Sequence, residues 1–292
     1  MMMRVVLLMM VGLLVAGCVV VSEGVEVENV GERGAERGVE GVEVPEGMDA
    51  LERLESSPRH HEWVVLGSGR GRSVRAFVVY PEVAEKAGVV VVIHENRGLN
   101  DWARSVADQV AELGYIAIAP DLLSGMGPGG GGTEAFGSPD EARTGIYGLD
   151  QAMVTEDLKA VVRYGRTMDA GDGRVSVAGF CWGGSQAFGF AAEDARLAGV
   201  YVFYGSAPEA GVMERIAVPV YGFYGGNDAR ITSAVPEVAQ AMAAAGKRYE
   251  PVVYEGAGHG FLRAGEMAGA SEANRVAREE AWVRWGRLLR GR

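Results

Sequence analysis

The sequence predicts an α/β fold, a mostly parallel central sheet with helices on both faces. Two observations carry this. Residues 88–93 read GVVVVI, a continuous β-branched run of the kind that forms a strand buried on both faces. From there to the end, short apolar runs alternate with stretches of helical period, and such alternation builds parallel βαβ units.

The elements follow in order. Residues 62–66 and 74–80 read as two β segments around the turn Gly67-Ser68-Gly69-Arg70-Gly71. After the 88–93 strand, residues 101–113 carry Trp102, Val106, Val110 and Leu113 on one side of a helix, and Gly114 stops it. A strand over 115–119 ends at Pro120-Asp121, and a Gly-rich loop fills 124–148, with an unusual insert at 126–132. Further helices are expected over 151–167, 182–192 and 235–245, and strands over 174–178, 199–203, 220–224 and 249–254. A terminal helix over 271–289 shows an inward stripe of Ala273, Val276, Ala277, Ala281, Trp285 and Leu288. On sheets of this kind, functional residues gather at the carboxyl ends of the strands.

Upstream of this body the composition changes twice. Residues 1–18, MMMRVVLLMMVGLLVAGC, place one cation before an apolar run from Val5 to Ala16, the order of a secretory signal. The run is too short for a comfortable transmembrane helix, which needs about 20 residues. Its end, Val15-Ala16-Gly17-Cys18, resembles the lipobox of bacterial lipoproteins, which implies lipidation at Cys18 and an extracytoplasmic, membrane-anchored location. Residues 19–57 follow as a Gly/Glu/Val-rich segment, with nine acids against two arginines in 19–50. Such a segment cannot bury enough apolar surface to offset chain entropy, so it reads as an extended tether. The folded domain is then 58–292.

Charge and motif content exclude several classes. A net charge of −11 argues against a nucleic-acid partner. No metal-ligand cluster, P-loop or dinucleotide fingerprint stands in the chain, so neither metal nor cofactor is expected. The glycines of 67–71 lie in a hairpin and do not open a helix.

The chemistry concentrates at Gly179-Phe180-Cys181-Trp182-Gly183-Gly184, between a strand and a helix. A side chain standing on so sharp a turn needs tiny neighbours two residues before and after it, which G-x-C-x-G supplies. Cys181 there meets the positive end of the following helix, which favours thiolate, and the Trp182 amide forms one half of an oxyanion hole. A histidine base and a carboxylate should follow in chain order. His259, in a glycine-tight loop after a strand, is the one histidine downstream of Cys181. Asp228, after the strand over 220–224, is the candidate acid, with Glu255 as its rival. His94 ends a strand without an assigned role, and His60 and His61 read as surface residues.

Taken together, Val92-Ile93-His94-Glu95-Asn96-Arg97-Gly98, Gly114-Tyr115, Ala119-Pro120-Asp121-Leu122, the cysteine elbow, Gly225 with Asp228, and Gly258-His259-Gly260-Phe261 resemble the dienelactone hydrolase family of the α/β-hydrolase superfamily. The resemblance spans about residues 62–290. It implies a Cys181–Asp228–His259 triad that cleaves a small ester or lactone through an acyl-cysteine. It further implies that Glu95 pairs with the resting cysteine and that the Asn96 amide is the second oxyanion donor. Arg263 would hold a substrate carboxylate, with Arg143 as the nearest match for a second arginine. The leader, the acidic tether and the 126–132 insert depart from the family pattern. Two other functions share these features. One is a thiol-dependent acyl transferase or peptidase on the same fold, and the other a non-catalytic surface binding lipoprotein.

Overall fold

The computed structural model describes residues 28–30 and 47–291. The leader and Cys18 lie outside the described residues. Among the described residues, nine strands form one sheet: β1 (Glu28–Val30), β2 (His61–Gly67), β3 (Ser73–Val79), β4 (Ala87–Ile93), β5 (Ile116–Asp121), β6 (Gly171–Phe180), β7 (Val200–Phe203), β8 (Val220–Gly225) and β9 (Tyr249–Tyr254). Their spatial order is β1-β9-β8-β7-β6-β4-β5-β3-β2. The pairings of β2 with β3 and of β3 with β5 are antiparallel, and the rest are parallel.

Ten α-helices among the described residues accompany the sheet: α1 (Ala50–Ser56), α2 (Asp101–Glu112), α3 (Pro139–Tyr147), α4 (Gln151–Thr167), α5 (Trp182–Phe190), α6 (Ala210–Met213), α7 (Ala229–Thr232), α8 (Val235–Ala244), α9 (Phe261–Ala264) and α10 (Glu272–Leu289). Alternate residues of β4 point to opposite faces. Val90 and Val92 pack with Val106 of α2 and Trp282 and Trp285 of α10, while Val89, Val91 and Ile93 pack with Val161 of α4, Phe188 of α5 and Met242 of α8. All seven residues of β4 are buried, as a continuous β-branched run requires.

Several boundaries differ from the sequence reading. Within the segment read as a tether, residues 50–56 form α1 and the backbone of 28–30 pairs with β9. Composition concealed α1 because it is held largely by charge. Asp49 caps its first turn, and buried Arg53 donates to Glu112 at 3.0 Å. β5 continues through Pro120 and Asp121. Pro120 lies near the end of the strand, beyond Ile118 where the pairing with β4 stops. The loop expected over 124–148 contains α3, capped by Ser138 with Pro139 in its first turn. On α10 the buried stripe includes Trp282, absent from the expected set, while Val276 is only half-buried.

Asp108, fully buried on α2, ties the segment before β2 to the domain. Arg59 donates to both its oxygens at 2.9 and 2.7 Å, Ser57 at 2.5 Å, and His61 approaches at 3.1 Å, so His61 is not a surface residue. Burial pushes the Asp108 carboxyl up, but the hydrogen bonds from Arg59, Ser57 and His61 outweigh it and hold the group below the usual range. Its contribution to stability is therefore full above the ordinary carboxylate pKa and lost as pH falls through the depressed folded value. Asp108→Asn should lower the unfolding free energy by about 3–5 kcal/mol, since it removes the main counter-ion of half-buried Arg59 and leaves it only Glu112 at 4.0 Å. Urea melts at pH 7 check this. A loss under about 1 kcal/mol would show that the network is solvated.

Candidate active site

Cys181 stands at the end of β6, where the chain turns into α5. Its backbone sits at φ 54°, ψ −115°, a positive φ that β-carbon-bearing residues rarely adopt. The flanking glycines allow it. A β-carbon at Gly179 would collide with the carbonyl of Gly183, and one at Gly183 with the carbonyl of His94. The Cys181 amide donates to Phe203 O at 3.0 Å, which fastens the elbow to β7.

The structure brings the three main candidates together. Cys181 Sγ lies 3.1 Å from His259 Nε2, and His259 Nδ1 lies 2.5 Å from Asp228 Oδ2. Buried Asp228 follows β8 and can only accept, so Nδ1 carries a proton and Nε2 is the free acceptor. Glu255, the rival acid, is exposed beyond β9 and takes no part. The three side chains come from the carboxyl ends of β6, β8 and β9, as the topology requires.

The thiol differs from the sequence expectation. The helix terminus alone would favour thiolate, yet burial first and the charge of Glu95 second push the Cys181 thiol up. The Trp182 N–H and Arg230 pull the other way and do not prevail. Glu95 does not pair with the sulfur, as the resemblance implied. Arg263 Nε donates to Glu95 Oε2 at 3.1 Å, and the thiol turns to His259. A guanidinium competes better than a neutral thiol for a carboxylate. Glu95→Gln removes the second cause of the raised thiol. The midpoint of iodoacetamide labelling should move to lower pH, with neutral-pH labelling faster by on the order of threefold to tenfold. An unchanged or higher midpoint would contradict this account of the sulfur.

A cavity of about 590 Å³ opens over the sulfur. Glu95, Asn96, Arg97, Arg143, Cys181, Trp182, Arg230, His259 and Arg263 all line it, and Asp228 stands behind His259. The Asn96 amide makes no hydrogen bond among the described residues, which leaves it available beside the Trp182 amide.

Three lining or supporting residues were not assigned from sequence. Tyr204, fully buried with φ 42°, packs edge-on against His259 at 5.1 Å. Its place just past β7 was the available signal. His94 is fully buried and stacks on Trp182 at 5.7 Å. Its Nδ1 lies 2.7 Å from Glu95 O, and its Nε2 accepts from the Leu122 amide. Burial lowers its pKa, so it is a neutral brace for the loop that carries Glu95 and Asn96. Arg230 follows Asp228 by two residues and gave no sequence signal of its own.

Comparison with known proteins decides the family. The dienelactone hydrolase family model matches residues 74–291. The chain belongs to the dienelactone hydrolase family. A putative carboxymethylenebutenolidase of Saccharolobus solfataricus is 30% identical over 250 residues, 75% of this chain and 95% of that protein. The carboxymethylenebutenolidase of Pseudomonas putida is 29% identical over 228 residues, 75% of this chain and 93% of its own. Among solved structures, a putative dienelactone hydrolase from Klebsiella pneumoniae aligns with a TM-score of 0.69 at 26% identity, covering 80% of this chain and 99% of its own. Esterases and an acylaminoacyl peptidase share the fold alone, at 13–17% identity. For a dienelactone hydrolase family member, the mostly parallel sheet with helices on both faces stands as the sequence resemblance implied.

Proposed function

We propose that this family member is a lipid-anchored, extracytoplasmic hydrolase that cleaves a small ester or lactone through an acyl-cysteine on Cys181. The observation that carries the reading is the continuous relay from Cys181 Sγ through His259 to Asp228, at 3.1 and 2.5 Å. The relay assigns each step a group. His259 Nε2 takes the thiol proton as the sulfur attacks the carbonyl, so a raised resting thiol pKa calls for a base beside it. Asp228 stabilises the imidazolium. The Trp182 and Asn96 amides receive the oxyanion. His259 then protonates the departing alkoxide and activates water against the thioester. In a lactone the alkoxide stays tethered to the acyl group.

Arg263, with Arg143 lining the same cavity, is assigned a substrate carboxylate, since a guanidinium matches it in two-pronged fashion. The carboxylate would share Arg263 with Glu95. The test is a panel of lactones and esters, with and without prior alkylation of Cys181. Each carboxylated substrate is paired with its methyl ester, in the parent and in Arg263→Ala. Alkylation should abolish turnover. Arg263→Ala should cost roughly 10- to 100-fold in kcat/KM on the acid, the range for a hydrogen bond to a charged group. Equal losses on acid and ester would show that Arg263 supports its loop and not the ligand.

The anchor rests on the 1–18 sequence, upstream of the family match. Intact mass should show a diacyl or triacyl chain beginning at Cys18, and a start elsewhere would refute it.

A further inference from the structure

The cavity over Cys181 holds four arginines, Arg97, Arg143, Arg230 and Arg263, against one lining acid, Glu95. Arg263 has Glu95 as its partner. Arg97, Arg143 and Arg230 have no carboxylate partner among the described residues. Arg143 rests over the ring of Tyr147 at 5.9 Å, and Arg230 Nη2 stands 3.5 Å from His259 Nδ1. Some exposed arginines elsewhere are paired with acids, Arg75 with Glu134, Arg174 with Asp172 and Arg248 with Glu250, but the cavity gathers three without a carboxylate partner on one lining. Free guanidinium groups converging on one cavity are a receptor for anions.

Their placement divides them. Glu95, Asn96 and Arg97 follow β4, on one side of the elbow strand β6, and Arg263 reaches this side through its pair with Glu95. Arg230 follows β8, on the other side of β6 with β7 between. Three strand spacings separate β4 from β8, about 14 Å at the sheet. Cys181 lies between the two groups of cations. Arg230 also faces a problem that a ligand would solve. His259 Nδ1 is committed to Asp228, so Arg230 places a cation beside an imidazole that must itself become cationic during turnover. A bound anion on Arg230 would offset that repulsion.

We propose that the site takes an ester or lactone carrying two anionic groups, one on each side of the scissile carbonyl. The second is held by Arg230, opposite the carboxylate assigned to Arg263. The proposal rests on the hydrolase reading for the position of the carbonyl, but its charge pattern can be measured without turnover. N-succinylglycine carries a carboxylate on each side of a stable amide. N-succinylethylamine and N-butyrylglycine each lack one of the two. Calorimetric titration of the full chain should show the dianion bound roughly 10- to 100-fold tighter than either monoanion. Arg230→Gln should erase the advantage over one monoanion, and Arg263→Gln the advantage over the other. Arg230→Lys, which keeps the charge, should retain part of it. Equal binding of all three compounds by the parent, or loss of the same comparison in both glutamine variants, would overturn the proposal. So would no binding of the dianion. A parent that binds the dianion in this pattern yet hydrolyses no ester would instead remove the hydrolase reading and leave the dianion site standing.

Discussion

Cys181→Ala is expected to lower kcat/KM for an activated ester by several orders of magnitude, toward the roughly 10⁶-fold seen when a serine protease loses its nucleophile. In the proposed mechanism the sulfur is the attacking atom, so its loss leaves the relay without a nucleophile to carry the acyl group. The fold should be untouched. Cys181 is only half-buried, and alanine keeps the β-carbon that the elbow already accommodates at positive φ. Thermal midpoints of parent and variant should therefore agree within a few degrees. Cys181→Ser should retain weak activity, because a hydroxyl is much harder to ionise than a thiol and Glu95 disfavours an anion at this position. Near-normal turnover in Cys181→Ala would rule out covalent catalysis by this residue.

Asp228→Asn is expected to cost on the order of 10⁴ in kcat/KM, as the equivalent change does in a serine protease. The hydrogen bond at 2.5 Å fixes His259 with its proton on Nδ1 and its lone pair toward the sulfur. An asparagine that presents its NH₂ to the ring reverses that tautomer and removes the charge that stabilises the imidazolium. The loss should fall on kcat more than on KM, since Asp228 lies behind the histidine and does not line the cavity. Glu255→Gln is the matched control and should change kcat/KM less than twofold, because that carboxylate is exposed and outside the relay. A tenfold loss or less in Asp228→Asn, or a large one in Glu255→Gln, would reassign the acid.

What the sequence disclosed and what it withheld divide along a physical line. β4, the elbow and the His259 loop were legible because their causes are local. A β-branched run sets a buried strand, and Gly179 is demanded by the carbonyl of Gly183 within the elbow itself, although the need for Gly183 comes from the end of β4. Helix α3 was locally encoded too. Ser138 accepts from the Glu141 amide while Glu141 accepts from the Gly137 amide, a capping arrangement readable as Ser-Pro-Asp-Glu, but the glycines before it masked the signal. The ionisation of Cys181 was not legible. The helix terminus that favours thiolate is visible in sequence, whereas the burial and the Glu95 charge that outweigh it come from β4 and the closure of the cavity. Arg230 and Tyr204 were missed for a related reason: each gains meaning only from the neighbour that the fold brings to it, His259 in both cases. The Asp108 network joins residues about 50 apart in the chain, beyond the reach of any periodicity.

The central claim is that an acyl group passes through Cys181. The direct test is to mix the full chain with an activated ester, quench in acid within the first turnovers, and map the protein by mass spectrometry. The account predicts one acyl adduct, on the peptide carrying Cys181, that disappears on longer incubation and is absent from Cys181→Ala. Slowing deacylation with His259→Gln should not move it to another residue. An adduct on Ser185, or ester turnover that persists after Cys181 has been alkylated to completion, would contradict it.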